Sequence, residues 1–376
     1  MNRFPASARP LRLLIAGGGT GGHLYPGIAV ARELLARRPD AIVTFAGTAQ
    51  GLEARVVPRE GFPLDVIRSA GFKGKSLRDS LRAAAMLSSS ALDAWRVLSR
   101  RTPDVVVGVG GYSSGPVVFL AALRRVPTMV IEPNAMPGLT NRLLAPFVRA
   151  AAVAFESTLP RFRGKGFVSG TPVRGGFREN HRVDEDRAAG APIRVLIVGG
   201  SQGAHAINVA AVEAAPELAG AAARLTVTHQ TGERDVEMVR DGYRRIGLDA
   251  RVEPFLFEMD REMRRADLVV CRAGAMTLAE IASLGRPAIL VPLPSAADDH
   301  QRRNAEVVAR AGAAQVLDQN DLTGSSLAAH VLSLAADAAR RERMAVAARS
   351  LARPGAARTI VDRILTLAGH DAAGAE

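Results

Sequence analysis

The sequence predicts an α/β protein of two similar halves, each a parallel sheet flanked by helices. Three observations predict it. Short apolar runs alternate with helix-length stretches and repeatedly end in glycine, the pattern of strands feeding helices through tight turns. That grammar starts twice: LLIAGGGTGGH (13–23) and VLIVGGSQGAH (195–205) align as strand, glycine turn, helix. The chain has 376 residues, 48% of them hydrophobic, enough to bury two cores.

Taken in order, LRLLIAG (11–17) is the first strand, followed by a helix near 23–38 and a second strand, AIVTFAG (41–47). DVVVGVG (104–110) and TMVIEP (128–133) continue the first half. Residues 105–123 are uncharged for 19 residues, close to the roughly 20 that span a bilayer. Gly108, Gly110, Gly111, Gly115 and Pro116 break that stretch, so a buried strand, a glycine loop and a helix explain it better. The second half runs IRVLIVGGSQGAHAIN (193–208), LTVTHQ (225–230), DLVVCRAG (267–274) and PAILVPLP (287–294). The change of half falls near Pro172–Arg182, where the polar, glycine-rich GGFRENHRVDEDRAAGAP (175–192) reads as linker or edge. The expected domains are 1–173 and 174–353, with a short helix after Pro354 (354–376) packing back onto the first.

Composition narrows the function. Cys271 is the one cysteine, which excludes a disulfide framework and a cysteine-rich metal site and points to a reducing compartment. No apolar run with a small-residue cleavage site precedes the first glycines, so a secretory leader is not expected. The net charge is +12, nearly all from arginine, since the lysines are Lys73, Lys75 and Lys165. A basic surface meets nucleic acid, anionic lipid or a phosphorylated substrate. Aromatic residues are only 4% and no nucleic-acid motif is present, which argues against the first.

The glycine turns carry the chemistry. Gly17, Gly19 and Gly22 satisfy G-x-G-x-x-G between a strand and a helix. A dinucleotide site also needs an acidic residue at the end of the second strand to bind the ribose. Here that strand ends TFAGTAQG, with no carboxylate until Glu53, and the second half ends its counterpart THQTG, also without one. What remains is a loop whose amides and helix N-terminus suit an anionic or polar group, or a tight turn that binds nothing. His23, beside Tyr25-Pro26 in the first helical turn, sits at the mouth of the sheet and is a candidate general base. In the second half, GGSQGA (199–204) adds the hydroxyl of Ser201. Gly274-Ala275-Met276-Thr277 makes another strand-to-helix turn, and Glu280 follows one turn on, where a carboxylate accepts from a ribose diol or simply complements the helix dipole. DDHQRRNA (298–305) presents Gln301 and Asn304 after a strand, on a loop able to close over a sugar.

Seven segments, in chain order, resemble the MurG family of bacterial peptidoglycan glycosyltransferases: GGGTGGHLYPG (17–27), GGYSSGP (110–116), EPNAMPGLTNR (132–142), GTPVR (170–174), GGSQGA, AGAMTLAEIASLGRPAILVPLP (273–294) and DDHQRRNA. The resemblance implies the GT-B fold, two Rossmann-like domains with parallel sheets facing a central cleft. It implies transfer of N-acetylglucosamine from UDP-N-acetylglucosamine to the C4 hydroxyl of undecaprenyl-diphospho-muramoyl-pentapeptide (lipid I), giving lipid II with inversion and with no cofactor or metal. By position, Thr20, Gly21 and Gly22 would face the donor's sugar and diphosphate, and Asn134 the donor sugar. Arg174 and Ser201 would meet the diphosphate, and the backbone of Leu256 the uracil. Ala275, Met276, Thr277, Leu278, Ala279 and Glu280 would take the α-phosphate and ribose, and Gln301 the sugar hydroxyls. His23, Glu132 and Tyr112 would lie near the acceptor. Three positions depart from the family pattern: Ile131 stands where histidine is usual, Pro133 replaces glutamine and removes a backbone donor, and Thr171 stands where asparagine is usual.

Glycosyl transfer needs a base for the acceptor hydroxyl and a counter-charge for the leaving diphosphate. The one D-x-D, Asp184-Glu185-Asp186, lies in the polar linker and reads as solvated charge. The diphosphate is then met by helix N-termini, amides and Arg174, and His23 is the expected base, with Glu132 second. A lipid-linked acceptor also calls for membrane contact. Residues 71–101 mix Lys73, Lys75, Arg78 and Arg82 with Phe72, Leu77, Leu81, Met86, Leu87 and Trp95, which reads either as an amphipathic helix packed on the sheet or as a lipid contact. The expectation is mixed: some apolar residues in the core, and the basic end of the region 72–100 on anionic lipid at the cytoplasmic face of the inner membrane. The alternative is a UDP-N-acetylglucosamine 2-epimerase-like isomerase, with the same two-domain fold and the same donor but no lipid acceptor. The His- and carboxylate-rich pattern expected of it is missing.

Overall fold

The computed structural model describes residues 9–68, 77–178, 190–200, 203–221 and 224–369, with side chains of the 77–101 helix from residue 88 onward. Ser201, Phe72, Lys73, Lys75 and the Asp184–Asp186 run therefore lie outside the described residues. The chain divides into two compact units: Met1–Arg174 with Gly355–Glu376, and Gly175–Pro354.

The first unit is built on a seven-stranded sheet in the order β3-β2-β1-β4-β5-β6-β7. Its strands are β1 (Arg12–Gly17), β2 (Ile42–Gly47), β3 (Leu64–Val66), β4 (Val105–Gly110), β5 (Thr128–Glu132), β6 (Ala150–Val153) and β7 (Gly166–Val168), all paired in parallel. The helices are α1 (Gly21–Arg37), α2 (Glu53–Arg59), α3 (Leu77–Arg101), α4 (Ser114–Leu123) and α5 (Leu139–Leu144). Both faces of the central strands are covered, which is why they read as unbroken apolar runs and not as alternation. Leu13 and Ile15 of β1 face a core shared with Leu24, Ile28 and Leu34 of α1. Leu14 and Ala16 face the opposite core, with Val97 and Leu98 of α3 and Val117 and Val118 of α4. The uncharged stretch 105–123 folds as expected, into strand β4, a glycine turn and helix α4. Among the described residues no helix is long and apolar enough to cross a membrane.

The second unit repeats the plan in six strands, ordered β10-β9-β8-β11-β12-β13. They are β8 (Ile193–Val198), β9 (Leu225–Gln230), β10 (Ala250–Glu253), β11 (Leu268–Cys271), β12 (Ala288–Leu290) and β13 (Ala314–Val316). Its helices are α6 (Gly175–Arg178), α7 (His205–Ala219), α8 (Val236–Ile246), α9 (Met259–Arg265), α10 (Ala275–Leu284), α11 (His300–Arg310), α12 (Gly324–Ala336) and α13 (Ala338–Leu351). The chain then returns to the first unit as α14 (Ala356–Leu367). Ile360, Val361 and Ile364 of α14 are fully buried in the α1-side core, and Asp362 accepts from Arg37 at 2.7 Å.

In both sheets the strand order reverses beside the first strand, between β1 and β4 and between β8 and β11. A crevice opens beyond the carboxyl ends of the strands at such a reversal, because the following helices leave to opposite faces. The two glycine turns of the sequence stand at these two places.

Candidate active site

In the first unit the β1 turn and the β4 turn lie against each other. Gly18 N–H donates to Gly110 O at 3.3 Å. Gly110 and Gly111 both have left-handed backbone, φ 97° and 82°, a conformation in which glycine meets no Cβ penalty. At Gly110 there is a second reason: an added Cβ would lie 2.7 Å from His23 Cδ2, so the imidazole rests directly on the bare backbone. His23 Nδ1 lies 3.3 Å from Thr20 Oγ1, and the helix takes up from Thr20 with His23 N–H on its carbonyl. The expected base thus sits half-buried at the switch point, with one ring nitrogen engaged by its own helix cap. Tyr112, on the β4–α4 turn, is exposed. The Tyr25 ring carries the Arg174 guanidinium, 5.1 Å from its centroid, a cation–π contact that anchors this arginine on α1.

Two carboxylates hold the surrounding loops. Glu132, at the end of β5, is buried and accepts from four donors: Asn134 N–H and Nδ2 on Oε1 at 3.0 and 3.1 Å, Gly138 N–H on Oε2 at 3.0 Å, and Asn141 Nδ2 on Oε2 at 2.9 Å. Burial pushes its carboxyl above the ordinary carboxylate range against the pull of those donors. Its oxygens are spoken for, and they fix the loop that presents Asn134. Glu53, the first residue of α2, is also buried. Its Oε2 accepts Gly19 N–H at 2.7 Å, and its Oε1 accepts Thr48 N–H at 2.8 Å and Thr48 Oγ1 at 2.7 Å. Burial raises its pKa, yet the amide and hydroxyl donors outweigh that and leave it below the ordinary value. In the sequence Glu53 counted only as a carboxylate too far along to bind ribose. The signal that was there is the cluster of glycines around it.

In the second unit the turn after β8 is held by the end of β9. Gln230, buried, donates Nε2 to Gly200 O at 2.9 Å and accepts Leu256 N–H on Oε1 at 3.0 Å. One side chain therefore ties the glycine turn expected at the diphosphate to the loop expected at the uracil. The sequence reading placed Gln230 in a strand and gave it no role. Its position at the strand's last residue was the usable clue. Leu256 is itself buried, with Phe255 and Phe257 exposed on either side and edge-to-face at 5.0 Å.

Helix α10 begins at Ala275 after Gly274, with no side-chain cap on its first amides. Ala275, Met276, Leu278 and Glu280 are buried, and Thr277 and Ala279 share the same helix. The neighbouring Cys271 is buried at the end of β11, its thiol pushed up to about 12 by burial and by Glu280, so it stays a protonated, inert core group. Asn304 donates Nδ2 to Ala273 O at 3.2 Å, and Gln301 Oε1 accepts Leu293 N–H at 3.1 Å. Here the structure corrects an expectation. Gln301 and Asn304 stand on helix α11, three residues apart on one face, and not on a loop. Asp298 and Asp299, both left-handed at φ 52° and 54°, make the turn that starts it. Among the described residues no group of three or more His, Cys, Asp or Glu side chains is placed to hold a metal ion.

The structure thus groups Thr20–His23 with the Gly110 turn and Tyr112, Glu132 with Asn134, and Gly200 with Leu256 through Gln230. The first two groups belong to the first unit and the third to the second. Every one stands at the carboxyl end of a strand or on the turn after it.

Comparison with known proteins places these features in a family. The N-terminal domain of glycosyltransferase family 28 matches residues 13–153, and the C-terminal domain of that family matches residues 194–360. A UDP-N-acetylglucosamine--N-acetylmuramyl-(pentapeptide) pyrophosphoryl-undecaprenol N-acetylglucosamine transferase from Anaeromyxobacter dehalogenans is 49% identical over 95% of this chain and 93% of its own. One of the same name from Pelobacter propionicus is 47% identical over 95% of this chain and 99% of its own. Among solved structures, MurG of Acinetobacter baumannii is similar with a TM-score of 0.79 at 31% identity, covering 95% of this chain and all of that one. The UDP-GlcNAc 2-epimerase of Neisseria meningitidis, TM-score 0.67 at 14% identity, shares the fold alone.

Proposed function

The chain belongs to glycosyltransferase family 28, and we infer that its activity is that of the relatives it matches along nearly their whole length. It transfers N-acetylglucosamine from UDP-N-acetylglucosamine to the undecaprenyl-diphosphate-linked N-acetylmuramyl-pentapeptide, lipid I, and so forms lipid II for peptidoglycan. One observation carries this: near full-length identity of 47–49% to transferases bearing that activity in their names.

The geometry supports a division of labour. The second unit takes the donor. The Gly199–Gly203 turn with Ser201, and the N-terminus of α10 from Ala275 to Glu280, offer amides to the diphosphate and a buried carboxylate to the ribose. Because Leu256 N–H is engaged by Gln230, its carbonyl is the group left to accept from uracil N3–H. Gln301 and Asn134 address the sugar, with Thr20, Gly21 and Gly22. Arg174 adds the positive charge that the leaving UDP needs, and amides supply the rest without a cation.

The first unit takes the acceptor. In the tautomer that acts as base, Thr20 Oγ1 accepts from His23 Nδ1–H and Nε2 is the basic nitrogen. The acceptor's C4 hydroxyl gives its proton to Nε2 as its oxygen attacks C1 of the donor; the C1–O bond to the diphosphate breaks, UDP departs, and the anomeric centre inverts. Glu132, with four donors on its oxygens, serves by holding Asn134, and Tyr112 lines the acceptor side.

The enzyme works as a peripheral protein on the cytoplasmic face of the inner membrane, reaching its lipid acceptor through the 72–100 region. Support comes from the described end of that region: exposed Leu92 and Trp95 on α3, the Arg124 guanidinium 4.4 Å above the Trp95 ring, and exposed Phe119 on α4 stacked edge-on with Phe147 at 4.9 Å. Leu123 on α4 and Leu139 and Leu143 on α5 are exposed as well.

The reaction is tested by incubating the purified protein with UDP-N-acetylglucosamine, with and without lipid I. UDP released only in the presence of lipid I is the expected result. UDP release or conversion of the donor without acceptor would instead support the epimerase alternative.

A further inference from the structure

We propose that Glu53 is the positioning residue of the first glycine turn: its carboxylate takes the Gly19 amide of that turn together with the Thr48 amide of the turn after β2, so the turn sets His23 and its Gly19 amide is closed to a donor phosphate. The inference deepens the reading of His23 as base and rests on it. A glycine turn at a strand end with free amides is an anion site. Here the anion comes from the chain itself. Gly19 N–H and Thr48 N–H, from the turns after β1 and β2, converge on the two oxygens of Glu53 at 2.7 and 2.8 Å.

The glycines around it are explained by the same carboxylate. A Cβ on Gly47 would lie 2.6 Å from Glu53 Cγ, and Cβ atoms on Gly18 and Gly51 would collide with the carboxyl group itself. Three glycines therefore make room for one side chain and not for a ligand. The peptide that Glu53 grips leads directly into Thr20, whose hydroxyl faces His23 Nδ1 and whose carbonyl starts the helix that carries the ring. Glu53 touches no reacting atom. It fixes the amide from which the base is hung, and it leaves Thr20, Gly21 and Gly22 to contact sugar hydroxyls, with the diphosphate met by the second unit's amides and by Arg174.

The test uses Glu53→Gln and Glu53→Ala in the full-length enzyme with UDP-N-acetylglucosamine and lipid I. The glutamine variant keeps the shape but turns an NH2 group toward one of the two amides, so kcat falls about tenfold or more while the donor KM stays within about twofold. The alanine variant empties the site, and added formate, a carboxylate small enough to enter it, restores kcat while leaving wild type unchanged. Wild-type kcat in the glutamine variant overturns the proposal, as does a donor KM that rises about tenfold at constant kcat, or a folded alanine variant that formate does not rescue. If the alanine variant does not fold, the split between kcat and KM in the glutamine variant decides alone. His23→Ala, measured alongside, separates the two readings. Wild-type turnover there sinks the base, whereas a large loss there with wild-type turnover in Glu53→Gln sinks only the positioning role.

Discussion

His23 rests on a glycine for want of room: any side chain at Gly110 would occupy the ring's place. That seat, and the Thr20 hydroxyl beside Nδ1, hold the ring in one orientation, which is much of what the proposed general base would contribute. Removing it should cost roughly 10²–10⁴ in kcat with the donor KM little changed; steady-state kinetics of His23→Ala read this, and near wild-type turnover would assign the base elsewhere. At this scale the sequence was legible where residue type and place together carried meaning. A histidine after a glycine turn at a strand end is such a case, whereas Asn134 and Glu132 stood out only through the family resemblance. The roles of Glu53 and Gln230 were not legible, because they are contacts between segments 34 and 26 residues apart; the glycines around Glu53 and the strand-end place of Gln230 mark the positions without naming their partners.

At the scale of elements, the central strands were readable because burial on both faces makes them continuous apolar runs. The edges were not. β3, β7 and β13 have three residues each, and β6 reads AAAV, a stretch with no aromatic and a single β-branched residue. Such segments pair because a neighbouring strand offers its edge, and propensity alone does not announce them. The α11 start was misread for a related reason: two aspartates in left-handed backbone look like loop chemistry, yet here they turn the chain straight into a helix. The α3 region carries its own prediction. Reversing the charges of Lys73, Lys75 and Arg78 replaces attraction to an anionic surface, about 1 kcal/mol per residue, with repulsion. Sedimentation with phosphatidylglycerol vesicles should then leave the variant in the supernatant. Undiminished binding would remove this segment from the lipid contact.

At the scale of the whole molecule, the two units meet acid differently. The second unit has at its core an uncharged histidine: His229 Nδ1 lies 2.8 Å from Tyr243 Oη and its Nε2 3.0 Å from Asn208 Oδ1. Burial brings its pKa down from 6.5 to about 3. The unfolded chain therefore binds a proton below pH 6.5 that the folded unit refuses, and stability falls as the pH drops from 6.5 toward 3. At pH 5 this amounts to on the order of 2 kcal/mol relative to neutral pH. Denaturant melts across pH should show a shallower acid slope in His229→Asn than in wild type; identical slopes would mean that the ring is protonated in place. In the first unit Glu53 is shifted in the same direction but from a carboxylate's range, so its contribution is intact above its unfolded pKa and lost only in stronger acid, as the pH falls through its depressed folded value.

In the proposed reaction the leaving UDP is received by the second unit's amides and helix N-termini and by the Arg174 guanidinium, with no bound cation. The direct measurement is turnover of UDP-N-acetylglucosamine and lipid I by enzyme stripped with a chelator and assayed in its presence. Lipid II formation at the untreated rate is expected. Turnover that stops, and returns only when a divalent cation is restored, would contradict it.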